Sequence, residues 1–282
     1  MFSKPSLFIA FIILSSFIFL ISCESEIDKK PMTGHPSLII LGEKDLTKPE
    51  IQLSSNKTNQ KYVYLTFDDG PNKGTSNVVN SLKKKNTPAT LFVVGQHIYG
   101  SKSQKEDFEK IASDSLFQIA NHSYTHAGNR YSEFYKDSLG ALADFNRVND
   151  SLNRKLMISR TPGRNIWRLD SIRETDIKSS EKSADYLSEN GYLLVGWDLE
   201  WNSDEGSKIK EKGEEMIQKI DTAFEKNFTR TKNHLVLLTH DQYFRDSISM
   251  AELDNFLELL HKRDDIILKK IKDYPGIQPD VN

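Results

Sequence analysis

Asp68 and Asp69 stand side by side where the apolar run Tyr62-Val63-Tyr64-Leu65 gives way to Thr66-Phe67-Asp68-Asp69-Gly70-Pro71. Two carboxylates at the mouth of a strand can divide labour, one holding a metal ion and the other handling a proton. Further along, His122-Ser123-Tyr124-Thr125-His126 sets two imidazoles four residues apart, the spacing of one helical turn. A lone pair at that spacing is better explained by histidines on a helix surface. With an Asp pair upstream, one Asp and two His make a three-ligand set with an open position. That donor set suits Zn2+, and also Fe2+ or Co2+. The pattern reads as a hydrolase.

These residues must be held by the elements around them. From Lys61 onward, short apolar runs alternate with helical periodicity. Strands are expected at 62–67, 89–94, 117–120, 156–160, 192–197 and 234–238. Helices are expected at 75–85, 105–116, 132–152, 179–189, 206–228 and 250–261. Such alternation predicts a parallel α/β sheet or barrel. Each polar cluster falls at or just past the C-terminal end of a strand, where barrels of parallel strands carry their active sites.

The ends of the chain read differently. Lys4 followed by an apolar run from Leu7 to Ile21 resembles a secretory signal over residues 1–22. The run closes in Leu20-Ile21-Ser22-Cys23, which resembles the lipobox of bacterial lipoproteins. That resemblance implies lipidation of Cys23, a membrane anchor and a place in the bacterial cell envelope outside the cytoplasm. An uncleaved N-terminal anchor is the other reading. Cys23 is the only cysteine, so no internal disulfide can form. Residues 23–60 are polar and read as a tether, with Leu38-Ile39-Ile40-Leu41 as a possible added strand. Residues 61–275 form the expected catalytic domain and 276–282 a tail. The net charge of −2, with both signs interspersed, gives no sign of nucleic-acid binding, and no obligate protein partner is evident.

Three further clusters complete the pattern: Arg160-Thr161-Pro162-Gly163, Trp197-Asp198-Leu199-Glu200-Trp201, and Leu237-Leu238-Thr239-His240-Asp241. Taken in order with the first two, they resemble the polysaccharide deacetylase family (the NodB homology domain, carbohydrate esterase family 4) over about Lys61 to Tyr274. The resemblance implies a distorted (β/α)7 barrel. It also implies that Asp69, His122 and His126 hold one divalent metal ion, that Asp68 is the general base, and that Arg160 pairs with Asp68. His240 matches the family's general acid, and histidine has a pKa suited to protonating a leaving amine. The Gly163 N–H matches the oxyanion donor, although the family often has Tyr or Phe there. The fourth cluster departs most from the family's D-x-x-D-W. Glu200 is the better match than Asp198 for its acid, which tunes the histidine or the arginine. Trp201 either walls the acetyl pocket or sits in the core.

The implied function is release of acetate from the N-acetylated amino sugars of a polysaccharide, whether peptidoglycan, chitin-like or exported. The same residues could instead serve an O-acetyl ester or another amide. A vestigial site on a glycan-binding lipoprotein is the non-enzymatic alternative.

Overall fold

The computed structural model describes residues 60–206 and 208–278. The expected signal segment, Cys23, the tether and the island Leu38–Leu41 lie outside these residues.

The first strand shows how the fold follows from the sequence. β1 (Lys61–Asp68) is buried along nearly its whole length, as a parallel strand covered on both faces must be. Its side chains alternate. Val63, Leu65 and Phe67 pack outward against helices, while Tyr64 joins a second cluster inside the curl of the sheet. Thr66 and Asp68 share that inner face by the same period of two, so the strand delivers Asp68 to the interior of the curl.

The other strands are β2 (Ala89–Val93), β3 (Phe117–Asn121), β4 (Ile158–Ser159), β5 (Ile166–Leu169), β6 (Ile172–Thr175), β7 (Leu193–Leu194), β8 (Leu199–Glu200), β9 (His234–His240) and β10 (Ile266–Lys269). They make one ten-stranded sheet in the order β6-β5-β7-β4-β3-β2-β1-β9-β8, with β10 also paired to β1. The pairings are parallel except those of β5 with β6 and β7. The architecture is mixed α/β, a sheet curled into a half-barrel with helices against it. The inner cluster takes Tyr64 from β1, Phe92 from β2, Ala120 from β3, Ile158 from β4, Trp167 from β5 and Val236 from β9.

The helices are α1 (Thr75–Lys84), α2 (Gly95–Ile98), α3 (Lys102–Ser113), α4 (Tyr131–Phe134), α5 (Ser138–Leu152), α6 (Glu181–Glu189), α7 (Gly213–Glu225) and α8 (Ser247–His261). Boundaries follow caps. Ser101 accepts from the Gln104 N–H and starts α3. Asp137 accepts from the Gly140 N–H, so the helix expected over 132–152 breaks in two. The helix expected from 206 begins only at 213, where the Glu215 carboxylate accepts from the Lys212 N–H at 2.8 Å. The expected strand at 192–197 pairs over two residues only, and the Val195 and Gly196 carbonyls are taken by Arg160. The β5–β6 hairpin, β8 and β10 were not expected from periodicity. Each is four residues or fewer, too short for a repeating pattern.

Candidate active site

The expected residues meet at the C-terminal ends of the strands. Asp68 ends β1 and faces His240, its register partner at the end of β9. Asp69 follows with φ 70°, a left-handed conformation that is costly for a residue with a Cβ. The turn swings its carboxylate toward the histidines. His97 Nδ1–H donates to the Asp69 carbonyl at 2.7 Å and holds that turn. His97 thereby fixes the backbone of a candidate ligand.

His122 follows β3. The two histidines do not lie on a helix, which corrects the reading from their spacing. The loop between them turns through Ser123 at φ 62° and His126 at φ 53°. Asp144 on α5 accepts from the N–H groups of Tyr124 and Thr125, each at 3.0 Å, and pins the loop. The result is convergent: Asp69 Oδ1 lies 3.4 Å from His122 Nε2 and 3.1 Å from His126 Nε2. One donor atom from each of these three residues falls within 4.8 Å of the others.

The cluster fits a divalent metal ion on its own chemistry. Asp69 Oδ1 is buried with no hydrogen-bond partner among the described residues, an arrangement that costs free energy unless a cation or donor meets it. His122 Nδ1–H donates to the Arg160 carbonyl at 2.9 Å, which leaves the Nε2 lone pair facing Asp69, as in metal-ligating histidines. Burial alone would raise the Asp69 carboxyl. The imidazoles around it, His122 first and then His126 and His240, reverse this and hold it well below the carboxylate range. Burial pulls His122 down, but Asp68 and Asp69 outweigh it and leave it raised, whereas burial and the His122 charge lower His126.

Asp68 is 2 % exposed. Its Oδ1 accepts from Arg160 Nη1 at 2.9 Å, and its Oδ2 lies 3.6 Å from His122 Nε2. Arg160 is fully buried and also donates to Thr66 Oγ1, Val195 O and Gly196 O. Its guanidinium lies 4.2 Å from the centre of the Phe92 ring. Burial lowers its pKa against the raising effect of Asp68. His240 Nε2 reaches the other side of Asp69, 3.9 Å from Oδ2. The arrangement thus offers a metal-ligand set, a fixed carboxylate on one side and an imidazole on the other.

The same stretch of sequence carries a family signature. The polysaccharide deacetylase model matches residues 55–163. Over these residues the chain is similar to polysaccharide deacetylases. A bifunctional xylanase/deacetylase of Pseudobutyrivibrio xylanivorans is 40 % identical over 72 residues, covering 26 % of this chain and 12 % of that protein. A peptidoglycan-N-acetylglucosamine deacetylase of Bacillus cereus is 33 % identical over 82 residues, covering 29 % and 28 %. The chain thus spans well under two thirds of the length of the curated relatives it matches. Among solved structures, the catalytic domain of a peptidoglycan N-acetylglucosamine deacetylase from Eubacterium rectale superposes with a TM-score of 0.55 at 20 % identity, covering 80 % of this chain and 95 % of that one. That likeness shows the fold. The curated relatives are named as deacetylases, and a carbohydrate esterase of Streptococcus mutans is among the solved structures of similar fold.

The family-model match ends at residue 163; beyond it His240 joins the site, but the residues of the fourth cluster do not all converge on it. Glu200 ends β8; burial raises its carboxyl, with the His240 charge opposing. It makes no side-chain hydrogen bond to His240 or Arg160. Asp198 is turned away, accepting from the Arg230 and Val236 N–H groups at 2.8 Å each. Trp201 is fully buried against Phe244 and Phe256, and its Nε1–H donates to the Glu211 carbonyl. In the structure Trp201 is part of the core. Gly163 has φ 61° and its N–H is not used as a donor among the described residues.

Three contributors escaped sequence reasoning. Thr66 shares Asp68's face and accepts from Arg160, a relation that the period of two along β1 could have flagged. Asp144 and Asp241 act through folded contacts and carried no local signal.

Proposed function

We propose that this protein is a metal-dependent hydrolase that removes N-acetyl groups from the amino sugars of a polysaccharide and releases acetate. The observation that carries this reading is the cluster of Asp69, His122 and His126 between the Asp68–Arg160 pair and His240. The names of the relatives support the substrate class, as does the fit of the donor set to a zinc-like ion.

Asp69, His122 and His126 would hold the ion. When bound, such an ion supplies Lewis acidity that polarises a carbonyl and makes water a better acid. Arg160 and Thr66 keep Asp68 in one orientation, with Oδ2 toward the cluster. Asp68 takes a proton from the attacking water as its oxygen bonds to the acetyl carbon. The Gly163 N–H would donate to the oxyanion that develops. His240 gives its proton to the sugar nitrogen as the C–N bond breaks. The products are acetate and a free amine.

The test is acetate release by the zinc-loaded protein from oligomers of N-acetylglucosamine, from peptidoglycan and from acetyl-xylan. Acetate from the first two supports the reading. Release from acetyl-xylan alone would replace it with ester hydrolysis, the chemistry to which the xylanase/deacetylase relative draws attention.

We further infer that Cys23 carries a lipid and holds the protein on the outside of the cytoplasmic boundary. The apolar run ending in Leu20-Ile21-Ser22-Cys23 supports this. Loss of fatty-acid label in Cys23→Ser would agree with it; retention of label would sink it.

A further inference from the structure

Asp69 divides the site into two sides. Its Oδ1 meets His122 and His126, and its Oδ2 faces His240. On the deacetylase reading the amine departs toward His240, and the acyl group is taken to lie toward His126 and Gly163. The aromatic residue on that side is Tyr131, at the start of α4.

Tyr131 touches both residues. Its ring stands perpendicular to the His126 imidazole, with centroids 5.7 Å apart and an interplanar angle of 89°. Its hydroxyl lies 3.5 Å from His126 Nδ1, the nitrogen turned away from Asp69. A Cβ on Gly163 would meet Tyr131 Cε1 at 2.9 Å, Cζ at 3.0 Å and Cδ1 at 3.2 Å. The tyrosine ring fills the space that a side chain at 163 would otherwise claim. Arg164 backs the arrangement: its Nη1 donates to the Gly163 carbonyl at 2.7 Å, and its guanidinium lies 5.7 Å from the Tyr131 ring centre. Tyr131 is half-buried, so part of the ring remains available. Other aromatics near the site are placed differently. Trp201 is sealed in the core, Tyr135 is buried with its hydroxyl on Pro162 O, and Tyr243 stands on the other side, 4.9 Å from His240.

We propose that Tyr131 is a specificity-determining residue whose ring closes the acyl side of the site and limits the substrate to an acetyl group. This rests on the deacetylase reading for the orientation of the amide. The physical basis is steric: the ring stands against Gly163 and His126, where added methylenes would have to enter. In an apolar pocket one methylene is worth roughly 10- to 200-fold in discrimination.

The test compares Tyr131→Ala and Tyr131→Phe with the wild type. The substrates are glucosamine oligomers carrying N-acetyl or N-butyryl groups, and in parallel p-nitrophenyl acetate and butyrate. In Tyr131→Ala the butyryl-to-acetyl ratio of kcat/KM should rise at least about tenfold, while Tyr131→Phe should stay near the wild-type ratio. A fall in metal content or folded fraction scales both acyl groups together and cannot move this ratio. A ratio in Tyr131→Ala within twofold of wild type, for amides and esters alike, overturns the proposal. The two readings fail separately: a wild type inert on the N-acetyl oligomers sinks the deacetylase reading, and the ester pair still decides Tyr131.

Discussion

Asp68 Oδ1 and Arg160 Nη1 are joined at 2.9 Å in a pocket sealed from solvent on both sides. Neither charge could be buried alone without a large desolvation cost, so each is the condition for the other. The arginine does more than neutralise. Its other donors are spent on Thr66, Val195 and Gly196, which ties β1 to the segment after β7 and leaves the Asp68 carboxylate a single orientation.

Removing the guanidinium should therefore damage stability and chemistry together. Arg160→Ala should cost about 3–5 kcal/mol in chemical denaturation, the range for one partner lost from a buried pair. Acetate release by the fraction that remains folded should also collapse. Activity per folded molecule within twofold of wild type would show that Arg160 serves the fold only.

The division between Asp68 and Asp69 predicts two different losses. His126→Ala and Asp69→Ala should fail to retain zinc, read by elemental analysis after dialysis, and should be inactive for that reason. Asp68→Asn should keep the metal and lose turnover by roughly 10²- to 10⁴-fold, the usual worth of a general base. Zinc lost from Asp68→Asn, or retained by His126→Ala, would reverse the assignment.

Asp241 supplies a pH dependence that belongs to the fold. It is fully buried beside His240 and accepts from Asn72 Nδ2 in the loop that follows Asp69 and from Thr75 Oγ1 at the start of α1. Gly70 and Gly74 leave the space for it: a Cβ on Gly70 would sit 2.6 Å from Asp241 Oδ2, and one on Gly74 would collide with the Asp241 carbonyl. Burial pushes its carboxyl up to about 7, against the hydrogen bonds from Thr75 and Asn72. The folded state thus holds a proton that the unfolded chain releases near the ordinary value of 3.8. Stability from this group is complete below about pH 4 and is lost as pH rises through about 7. Denaturation of wild type and Asp241→Asn at pH 5 and pH 8 measures it. The wild type should lose stability relative to the variant between the two, and an unchanged difference would refute the shift.

The sequence made the chemistry more legible than its supports. Thr66-Phe67-Asp68-Asp69-Gly70 and His122–His126 are local, and each sits at the end of a strand whose apolar run is long enough to read. What held them in place was harder to see. The histidine spacing suggested a helix, but left-handed turns at Ser123 and His126, pinned by Asp144, make a loop that brings both Nε2 atoms to Asp69. Such a contact is set by α5, many residues away, and leaves no periodic trace. The fourth cluster was ambiguous for a related reason. Asp198 and Glu200 both lie near a strand end, and only the folded β8–β9 pairing shows that Asp198 is occupied by the backbone of Arg230 and Val236.

That occupation makes Asp198 a test of the division between fold and chemistry. Both of its carboxylate oxygens accept backbone N–H bonds, so an amide in its place would turn an NH2 against a donor. Asp198→Asn should lose about 1–3 kcal/mol, the cost of leaving a buried group unsatisfied. Its kcat per folded molecule should match wild type. A fall in kcat without a fall in stability would move Asp198 back into the site.

Trp201 gives the complementary case, an aromatic that the motif allowed at the acetyl group and the fold keeps for itself. It packs edge-on against Phe256 at 4.9 Å and Phe244 at 5.6 Å between centroids, and its indole N–H is satisfied by Glu211 O at 2.9 Å. Trp201→Ala should cost about 3–5 kcal/mol through the cavity it leaves, together with the orphaned Glu211 carbonyl. Trp201→Phe should cost less, and in neither variant should the butyryl-to-acetyl ratio move as it does in Tyr131→Ala. If Trp201→Phe shifted that ratio tenfold while Tyr131→Ala left it unchanged, the acyl wall would lie at Trp201, and the packing of this side of the sheet would have to open during turnover.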